Sequence, residues 1–220
     1  MYGLPELSYL TIGGYDKNDL VGNLTWYDTS ATSDSWNITA VNMTINDINV
    51  NPSGDLNTPP DVNFQIGYPY MGFSKNTWIA FKDLMFVEWN PNIVSNVVCN
   101  SLENNEFCYW HDTKCSEIVT YGNFTIQLGD YEYSIPMNQF MVDVTAGGSN
   151  DCDVFIAELD ANSDLPNENF VRLGDPFFAS FLPVFDIDND QIGLAMSARA
   201  KDHVSKTKVT DDDPPVEAPE

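Results

Sequence analysis

Basic side chains are scarce in this chain. Of its 220 residues, 9 are lysine or arginine and 33 are aspartate or glutamate, so the formal net charge is −24 at pH 7. A surface of this charge repels phosphate backbones and anionic membranes, which argues against a nucleic-acid partner. The charge fits a protein of an acidic compartment, where protonation relieves the self-repulsion. It equally fits a protein that is simply very soluble, and both explanations stay open here.

Long hydrophobic runs are also missing. No stretch of about 18 consecutive apolar residues occurs, so the sequence predicts no membrane span. Residues 1–14 have neither a basic start nor a long apolar run, and we therefore expect no signal peptide there. Hydrophobic residues still make up 43% of the chain and aromatic residues 13%, which predicts a folded core rather than a disordered chain.

The usual metal ligands are few and badly spaced. The histidines and cysteines are His111, His203, Cys99, Cys108, Cys115 and Cys152. No two cysteines are spaced C-x-x-C and no histidines cluster with them, which disfavours zinc. Residues 186–190 alternate carboxylates as a calcium loop does, but they lack the glycine and glutamate of an EF-hand. We therefore predict no metal and no cofactor, a hairpin tip at 186–190, and a solvated turn at His111.

Two features indicate an oxidising, glycosylating compartment. The four cysteines allow three pairings, and two disulfides would form only where thiols are oxidised. The N-glycosylation acceptor pattern occurs at Asn23, Asn37, Asn42 and Asn123. Only Asn123 gains from its context, because Phe124, Ile126 and Leu128 share one face of a predicted strand and leave Asn123 on the other.

The most strongly patterned stretch is residues 170–195, FVRLGDPFFASFLPVFDIDNDQIGLA. Gly174 allows a turn after a first strand, and Asp175 followed by Pro176 is typical of a helix N-cap and first helical position. Apolar residues then flank the polar tip 186–190, as in a β-hairpin. The pattern predicts a strand, one helical turn, a strand, a tight turn and a strand.

Three further stretches have residue patterns that predict strands and turns. In ELSYLTIGGYDKNDLVGNLTWYD, residues 4–14 and 22–28 are predicted to be paired strands. Across residues 36–50 the apolar alternation changes phase at Ala40–Val41, which predicts a bulge or a strand that changes sheets. FTIQLGDYEYSIP predicts two strands around a Gly-Asp turn. Taken in order with residues 170–195, these stretches resemble the C-terminal lobe of pepsin-like aspartic proteases.

The resemblance implies an all-β fold with antiparallel sheets and one or two short helices. It covers residues 6–195, so we expect the pepsin-like C-terminal lobe to occupy residues 1–200. Residues 201–220 end in TDDDPPVEAPE, and we expect this acidic, proline-rich tail to be disordered or bound by a partner. The resemblance also implies a Cys115–Cys152 disulfide, which leaves Cys99–Cys108 as an additional local bridge. An unrelated β-sandwich is the alternative fold.

The stretch DVNFQIGYP occupies the place of the family's Asp-Thr-Gly, whose aspartate is half of a dyad that shares one proton and activates water. This chain has Gln65 there, then Ile66 for threonine, and Gly67 is retained. A glutamine amide has no titratable proton, so it cannot act as a general acid or base. Asp61 lies before the predicted strand rather than after it and is a poor substitute. The resemblance therefore implies no catalytic residue in this chain.

These observations predict a catalytically inactive aspartic-protease-like module with a structural or protein-binding role in a larger secreted or lumenal assembly. Two alternatives stay open: part of an active aspartic endopeptidase completed by an N-terminal lobe not in this chain, or a peptide-binding module without chemistry. In the family, both lobes share a sheet under the cleft, so we expect a protein partner or the missing lobe to cover the interlobe face. The expected location is extracellular or the endolysosomal lumen.

Overall fold

Strands dominate the computed structural model of the chain, which describes residues 11–29, 36–50, 59–102, 105–146, 149–159 and 170–209. The strands are β1 (Leu20–Asp28), β2 (Asn37–Thr39), β3 (Asn42–Ile45), β4 (Ile48–Asn49), β5 (Asp61–Phe64), β6 (Met71–Phe73), β7 (Val97–Leu102), β8 (Asn105–Trp110), β9 (Asn123–Leu128), β10 (Tyr131–Pro136), β11 (Met141–Ala146), β12 (Ser149–Glu158), β13 (Phe170–Leu173), β14 (Phe181–Asp186), β15 (Gln191–Ser197) and β16 (Ser205–Lys208). The helices are α1 (Lys75–Lys82), continued by wider π-type turns over Asp83–Glu88, and α2 (Asp175–Ser180). Short 3-10 turns lie at Lys17–Asp19, Val94–Asn96, Cys115–Glu117 and Met137–Phe140. The predicted all-β class is confirmed.

The described strands form three sheets. A three-stranded sheet has the order β1-β15-β14, and a five-stranded sheet has the order β16-β10-β9-β3-β4. The third sheet has the order β2-β5-β13-β6-β12-β8-β7, with β11 paired to β12 outside this order. Most pairings are antiparallel, but β13 pairs with β5 and β12 pairs with β6 in parallel. The resemblance implied antiparallel sheets only. The two parallel pairs arise because distant segments of the chain cross over into this sheet.

The predicted change of sheets at Ala40–Val41 is confirmed. β2 pairs with β5 in the largest sheet, whereas β3 pairs with β9 in the five-stranded sheet. Ile38 and Met43 are buried on either side of the junction. The phase of the apolar alternation changes because the chain must present its core-facing side to a new sheet.

The order predicted for residues 170–195 is also confirmed, as β13, α2, β14, a turn and β15. The predicted N-cap at Asp175 is wrong by one residue, because Gly174 is the N-cap and Asp175 begins the helix. Pro176 lies in the first turn, where its missing N–H leaves no hydrogen bond unmade.

The strand pairings described at the two ends of the chain involve distant segments. β1 pairs with β15, while most of the strand predicted at residues 4–14 lies outside the described part of the chain, so its pairing with residues 22–28 stays a prediction. At the other end, β16 adds to the edge of β10, so regular structure continues past residue 200, where the tail was expected to begin. Residues 210–220 lie outside the described residues.

The core is rich in aromatic side chains. Fully buried examples are Phe73, Trp78, Phe81, Trp110, Phe124, Tyr133, Phe140, Phe177 and Phe181. α1 covers the largest sheet with Trp78 and Phe81 while Lys75, Asn76 and Ile79 are exposed. The Trp78 Nε1–H donates to Glu106 Oε1 at 2.7 Å, and Lys82 pairs with the same carboxylate. None of the described helices is long and apolar enough to cross a membrane.

Candidate functional site

The loop of residues 65–70 joins β5 to β6 and crosses the end of β13, which lies between these two strands in the sheet. Its backbone is attached on both sides of Gly174. The Gln65 N–H donates to the Leu173 carbonyl at 3.1 Å, and the Asp175 N–H donates to the Tyr68 carbonyl at 2.8 Å. The loop and the start of α2 therefore hold each other in place.

Two glycines permit this path. Gly67 has a φ of 81°, in the left-handed region that glycine enters without steric cost. At Gly174, a Cβ atom would overlap the carbonyl oxygens of Tyr68 and Tyr70. The two segments thus approach backbone to backbone, and a side chain at residue 174 would separate them.

Gln65, Ile66 and Gly67 lie at the exposed start of the loop, and the Ile66 side chain is 62% exposed. None of residues 65–70 carries a carboxylate. Asp61 lies at the far end of β5, four strand residues or roughly 13 Å from Gln65. Its carboxylate accepts a hydrogen bond from Thr39 Oγ1 at 3.3 Å. The structure therefore does not bring Asp61 to the loop.

Aromatic side chains continue from the loop across the sheet and form an aromatic strip of Tyr68, Tyr70, Phe107 and Phe155. Tyr68 and Tyr70 meet edge-on with ring centroids 6.1 Å apart. Tyr70 stacks against Phe107 at 6.1 Å and against Phe155 at 5.9 Å. All four side chains are only half-buried, so the strip presents aromatic surface to solvent beside the loop.

Arg172 lies at one end of the aromatic strip. Its guanidinium carbon is 4.9 Å from the centroid of the Tyr68 ring and 6.0 Å from that of Phe170. Burial lowers the pKa of Arg172 and raises the pKa of Tyr68 and of Tyr70. Because arginine stays protonated in proteins, the group presents one positive charge and neutral phenols at physiological pH.

Both expected disulfides are confirmed. Cys99–Cys108 bridges the paired strands β7 and β8, and Cys115–Cys152 ties the turn at Cys115–Glu117 to β12. Within the described residues, one group has metal-ligand spacing, formed by Cys99, Glu106 and Cys108. Its sulfurs are bonded to each other and its carboxylate is bonded to Trp78 and Lys82. These atoms are therefore already engaged.

The remaining predicted residues lie apart from the loop. Asn23 and Asn123 are exposed, whereas Asn37 accepts a hydrogen bond from Asn63 at 2.7 Å and Asn42 accepts one from the Met43 N–H at 2.8 Å. Glycosylation stays a prediction at all four sequons, and the two exposed ones are the more accessible.

His111 and the hairpin tip behave as ordinary turn residues. The exposed His111 ring lies with Nδ1 3.0 Å from Asp151 Oδ1. At the tip, the Asn189 N–H donates to Asp186 Oδ1 at 3.1 Å, so that carboxylate closes the turn.

The sequence alone did not identify Tyr68 and Arg172 as neighbours. A signal was present, because Arg172 is one of nine basic residues and lies between the apolar Val171 and Leu173 in a predicted strand. A charged residue between core positions of an inner strand needs a partner or a function. The partner ring of Tyr68 is about a hundred residues away in the chain, so that contact required the fold.

Comparison with known proteins agrees with this fold. A family model described as eukaryotic aspartyl protease matches residues 86–197, just over half of the chain, beginning after the loop 65–70. The chain is also similar to a Dictyostelium discoideum protein named cathepsin D, with 32% identity over 81 residues. That similarity covers 37% of this chain and 20% of the relative, so the chain spans about a fifth of the length of the curated relative it matches. On its family match and its fold, the chain belongs to the eukaryotic aspartyl protease family.

Proposed function

We propose that this chain is a catalytically inactive aspartic-protease-like module with a structural or protein-binding role in a larger secreted or lumenal assembly. The observation that carries the proposal is Gln65, an exposed amide at the end of β5 where the family resemblance aligns a catalytic aspartate. An amide neither stores nor passes a proton, so it cannot share one with a second carboxylate.

Neither the loop that carries Gln65 nor the strand before it supplies a replacement for the missing carboxylate. The loop 65–70 has no acidic residue, and Asp61 lies at the opposite end of β5. Loss of one member of a cooperating catalytic set typically lowers turnover by a factor of about 10⁴ to 10⁶. The retained Gly67 and the backbone hydrogen bonds to β13 and to the start of α2 then hold the loop in shape rather than position a reacting group.

The three-stranded sheet supports the proposal of a covering partner or N-terminal lobe. On its outer side the Trp26 side chain is 40% exposed and packs against Gly193, and Val184 of the neighbouring strand is half-buried. Among the described strands, β1 and β14 have no partner other than β15. Unpaired edges beside an apolar face favour association with another polypeptide.

A peptide-binding role is the second candidate, because the aromatic strip and the exposed Ile66 lie beside the loop. Extended peptides bind surfaces that combine aromatic side chains with a few polar anchors. The two candidates differ in whether this surface is free in the assembled protein. The two disulfides are compatible with either a secreted or a lysosomal location.

Peptide cleavage tests inactivity directly. The purified chain, alone and as the assembly isolated with it from its own cells, is incubated with a mixed peptide pool between about pH 3 and pH 7, the range where carboxylate dyads operate. We expect no cleavage above background, with a working aspartic endopeptidase as the positive control. Cleavage that a statine-type inhibitor blocks, and that Asp61→Asn in this chain abolishes, would establish the active endopeptidase instead.

Light scattering after size exclusion tests the covering partner. The chain has a mass of 24.6 kDa. We expect it to self-associate or precipitate when isolated, because the outer face of the three-stranded sheet is uncovered. A monodisperse monomer at high concentration would count against a partner on that face.

A further inference from the structure

Arg172 carries a charge that no other described residue neutralises. It lies in β13 with Asn63 of β5 on one side and Gly72 of β6 on the other. Val171 and Leu173 are fully buried in the core, so alternation along the strand places Arg172 on the opposite face of the sheet. On that face its guanidinium lies over the ring of Tyr68.

This arrangement is costly for the free protein. The Arg172 side chain is half-buried, and its Nε is shielded from solvent without a hydrogen-bond acceptor. The Tyr68 hydroxyl is also shielded from solvent and has no hydrogen-bond partner. Neither the Lys82–Glu106 nor the His111–Asp151 ion pair includes Arg172. A desolvated charge with no counter-ion destabilises the folded state, and stacking of the guanidinium on Tyr68 and Phe170 offsets only part of the desolvation cost. The chain has 33 acidic residues, so the absence of a carboxylate partner for Arg172 within the described part of the chain calls for a functional reason.

The chemistry of the group defines what it would bind. A guanidinium offers planar N–H donors that match the two oxygens of a carboxylate, and an aromatic ring beneath it limits its rotation. The Tyr68 hydroxyl adds a further donor beside it. The group therefore combines one positive charge with two buried polar atoms, Arg172 Nε and the Tyr68 hydroxyl oxygen, that have no hydrogen-bond partner.

We propose that Arg172 and Tyr68 anchor the carboxylate of an aspartate or glutamate side chain on an extended segment of a partner polypeptide. A polypeptide is favoured over a small acid because the aromatic strip continues from Tyr68, and the exposed Ile66 adjoins it. A carboxylate is favoured over a phosphate because a net charge of −24 repels a doubly charged group more strongly. This inference rests on the proposed protein-binding role and specifies the chemistry of the partner.

Nuclear magnetic resonance of the arginine side chains tests the anchor itself. The Nε–H signals of Arg172 and of the exposed Arg199 are followed while sodium acetate replaces sodium chloride at constant ionic strength. We expect a saturable shift at Arg172 and no comparable shift at Arg199. Equal, non-saturating shifts at both arginines would overturn the proposal.

Peptide pools test the preference for a carboxylate. Short capped peptides, random except for one fixed position, carry glutamate in one pool and glutamine in the other. We expect the glutamate pool to bind at least about tenfold more tightly, the factor expected for one charge-assisted hydrogen-bonded pair. Arg172→Gln should remove the difference, whereas Arg199→Gln should keep it. Equal binding of the two pools by the unaltered protein would refute the carboxylate preference.

Thermal unfolding separates a binding role from a structural one. If Arg172 is kept for a partner, Arg172→Met should raise the melting temperature of the free protein, because it removes an unmatched charge without removing the packing of the side chain. A lower melting temperature would show that Arg172 serves the fold. These outcomes are independent of peptidase activity, so failure of the anchor and failure of the inactive-module proposal are distinguishable.

Discussion

The hydroxyl oxygens of Tyr27 and Tyr133 lie 2.8 Å apart, and this hydrogen bond joins the three-stranded sheet to the five-stranded sheet. Tyr133 is fully buried and Tyr27 is half-buried, with the two rings edge-on at 6.4 Å. Burial raises the pKa of Tyr27 to about 12 and raises the pKa of Tyr133 as well. Both phenols are therefore protonated at neutral pH, and one donates to the other.

We expect Tyr27→Phe to lower the free energy of unfolding by about 1 to 3 kcal/mol, because it leaves the buried Tyr133 hydroxyl without this partner. Tyr133→Phe should cost less, since the half-buried Tyr27 hydroxyl can turn to water. The double variant should cost less than the sum of the two single variants. Urea unfolding of the full cycle measures this coupling, with Tyr121→Phe, at a side chain that is 51% exposed, as the matched control. Additive effects would mean that the two hydroxyls do not act as a pair.

Much of the local secondary structure of this protein could be predicted from its sequence. The phase change at Ala40–Val41 predicted a bulge or a passage between sheets, because a strand with a side-chain period of two must break its alternation to turn its other side to a core. The order of β13, α2, β14 and β15 was likewise predicted from turn residues and apolar alternation. Gln65 was correctly placed at the end of a strand, because the resemblance fixed which strand precedes it.

The pairing of strands that are distant in the chain could not be predicted from the sequence in this way. β1 pairs with β15, whose residues are far away in the chain, and the sequence pattern did not indicate this partner. β16 lies in a segment whose composition indicated disorder, and it is held by pairing with β10. The Arg172–Tyr68 contact also depends on the parallel pairing of β13 and β5. Each of these contacts is decided by tertiary packing, which local propensity does not encode.

Lys206 makes stability depend on pH in the alkaline range. Its Nζ donates to Thr25 Oγ1 at 2.7 Å and to the carbonyl of Leu194 at 3.0 Å, and burial lowers its pKa to about 8. An unfolded lysine has a pKa of about 10.4, so between these values the unfolded chain binds a proton that the folded chain has released. The contribution of Lys206 to the free energy of unfolding therefore rises as the pH increases from about 8 to about 10.4.

We expect the difference in unfolding free energy between the unaltered protein and Lys206→Met to grow in favour of the unaltered protein from about pH 7 to about pH 10. Lys208→Met, at an exposed position of the same strand, should show no such trend. Denaturant unfolding at a series of pH values provides the measurement. The range stops at about pH 10, where the unfolded tyrosines are already about half ionised. A flat difference would show that Lys206 keeps its proton in the folded state.

The two disulfides should differ in what they contribute to stability. Cys115 and Cys152 are separated by 37 residues, and Cys99 and Cys108 by 9. Each bridge has one fully buried cysteine, so the packing lost on substitution is similar. Because a longer closed loop restricts the unfolded chain more, Cys115→Ala with Cys152→Ala should cost about 1 kcal/mol more than Cys99→Ala with Cys108→Ala. Denaturant unfolding of the two double variants gives the comparison, and a larger loss for the short loop would point to native-state effects instead.

Gly174 should be the least replaceable glycine of the site. A methyl group there would overlap the carbonyl oxygens of Tyr68 and Tyr70, which are backbone atoms that cannot move without shifting the loop 65–70. We expect Gly174→Ala to lower the free energy of unfolding by about 2 to 3 kcal/mol, the usual cost of forcing an extra carbon into a packed region. Gly14→Ala is the matched control, because nothing lies within 4 Å of a Cβ there and its φ is not positive.

Gly174→Ala should also break the hydrogen bond from the Asp175 N–H to the Tyr68 carbonyl. Amide hydrogen exchange at Asp175 should therefore become faster in Gly174→Ala and stay unchanged in Gly14→Ala. Equal stability of the two variants would mean that the loop and α2 separate readily. Gln65 would then not be fixed at the place where the family has its catalytic aspartate.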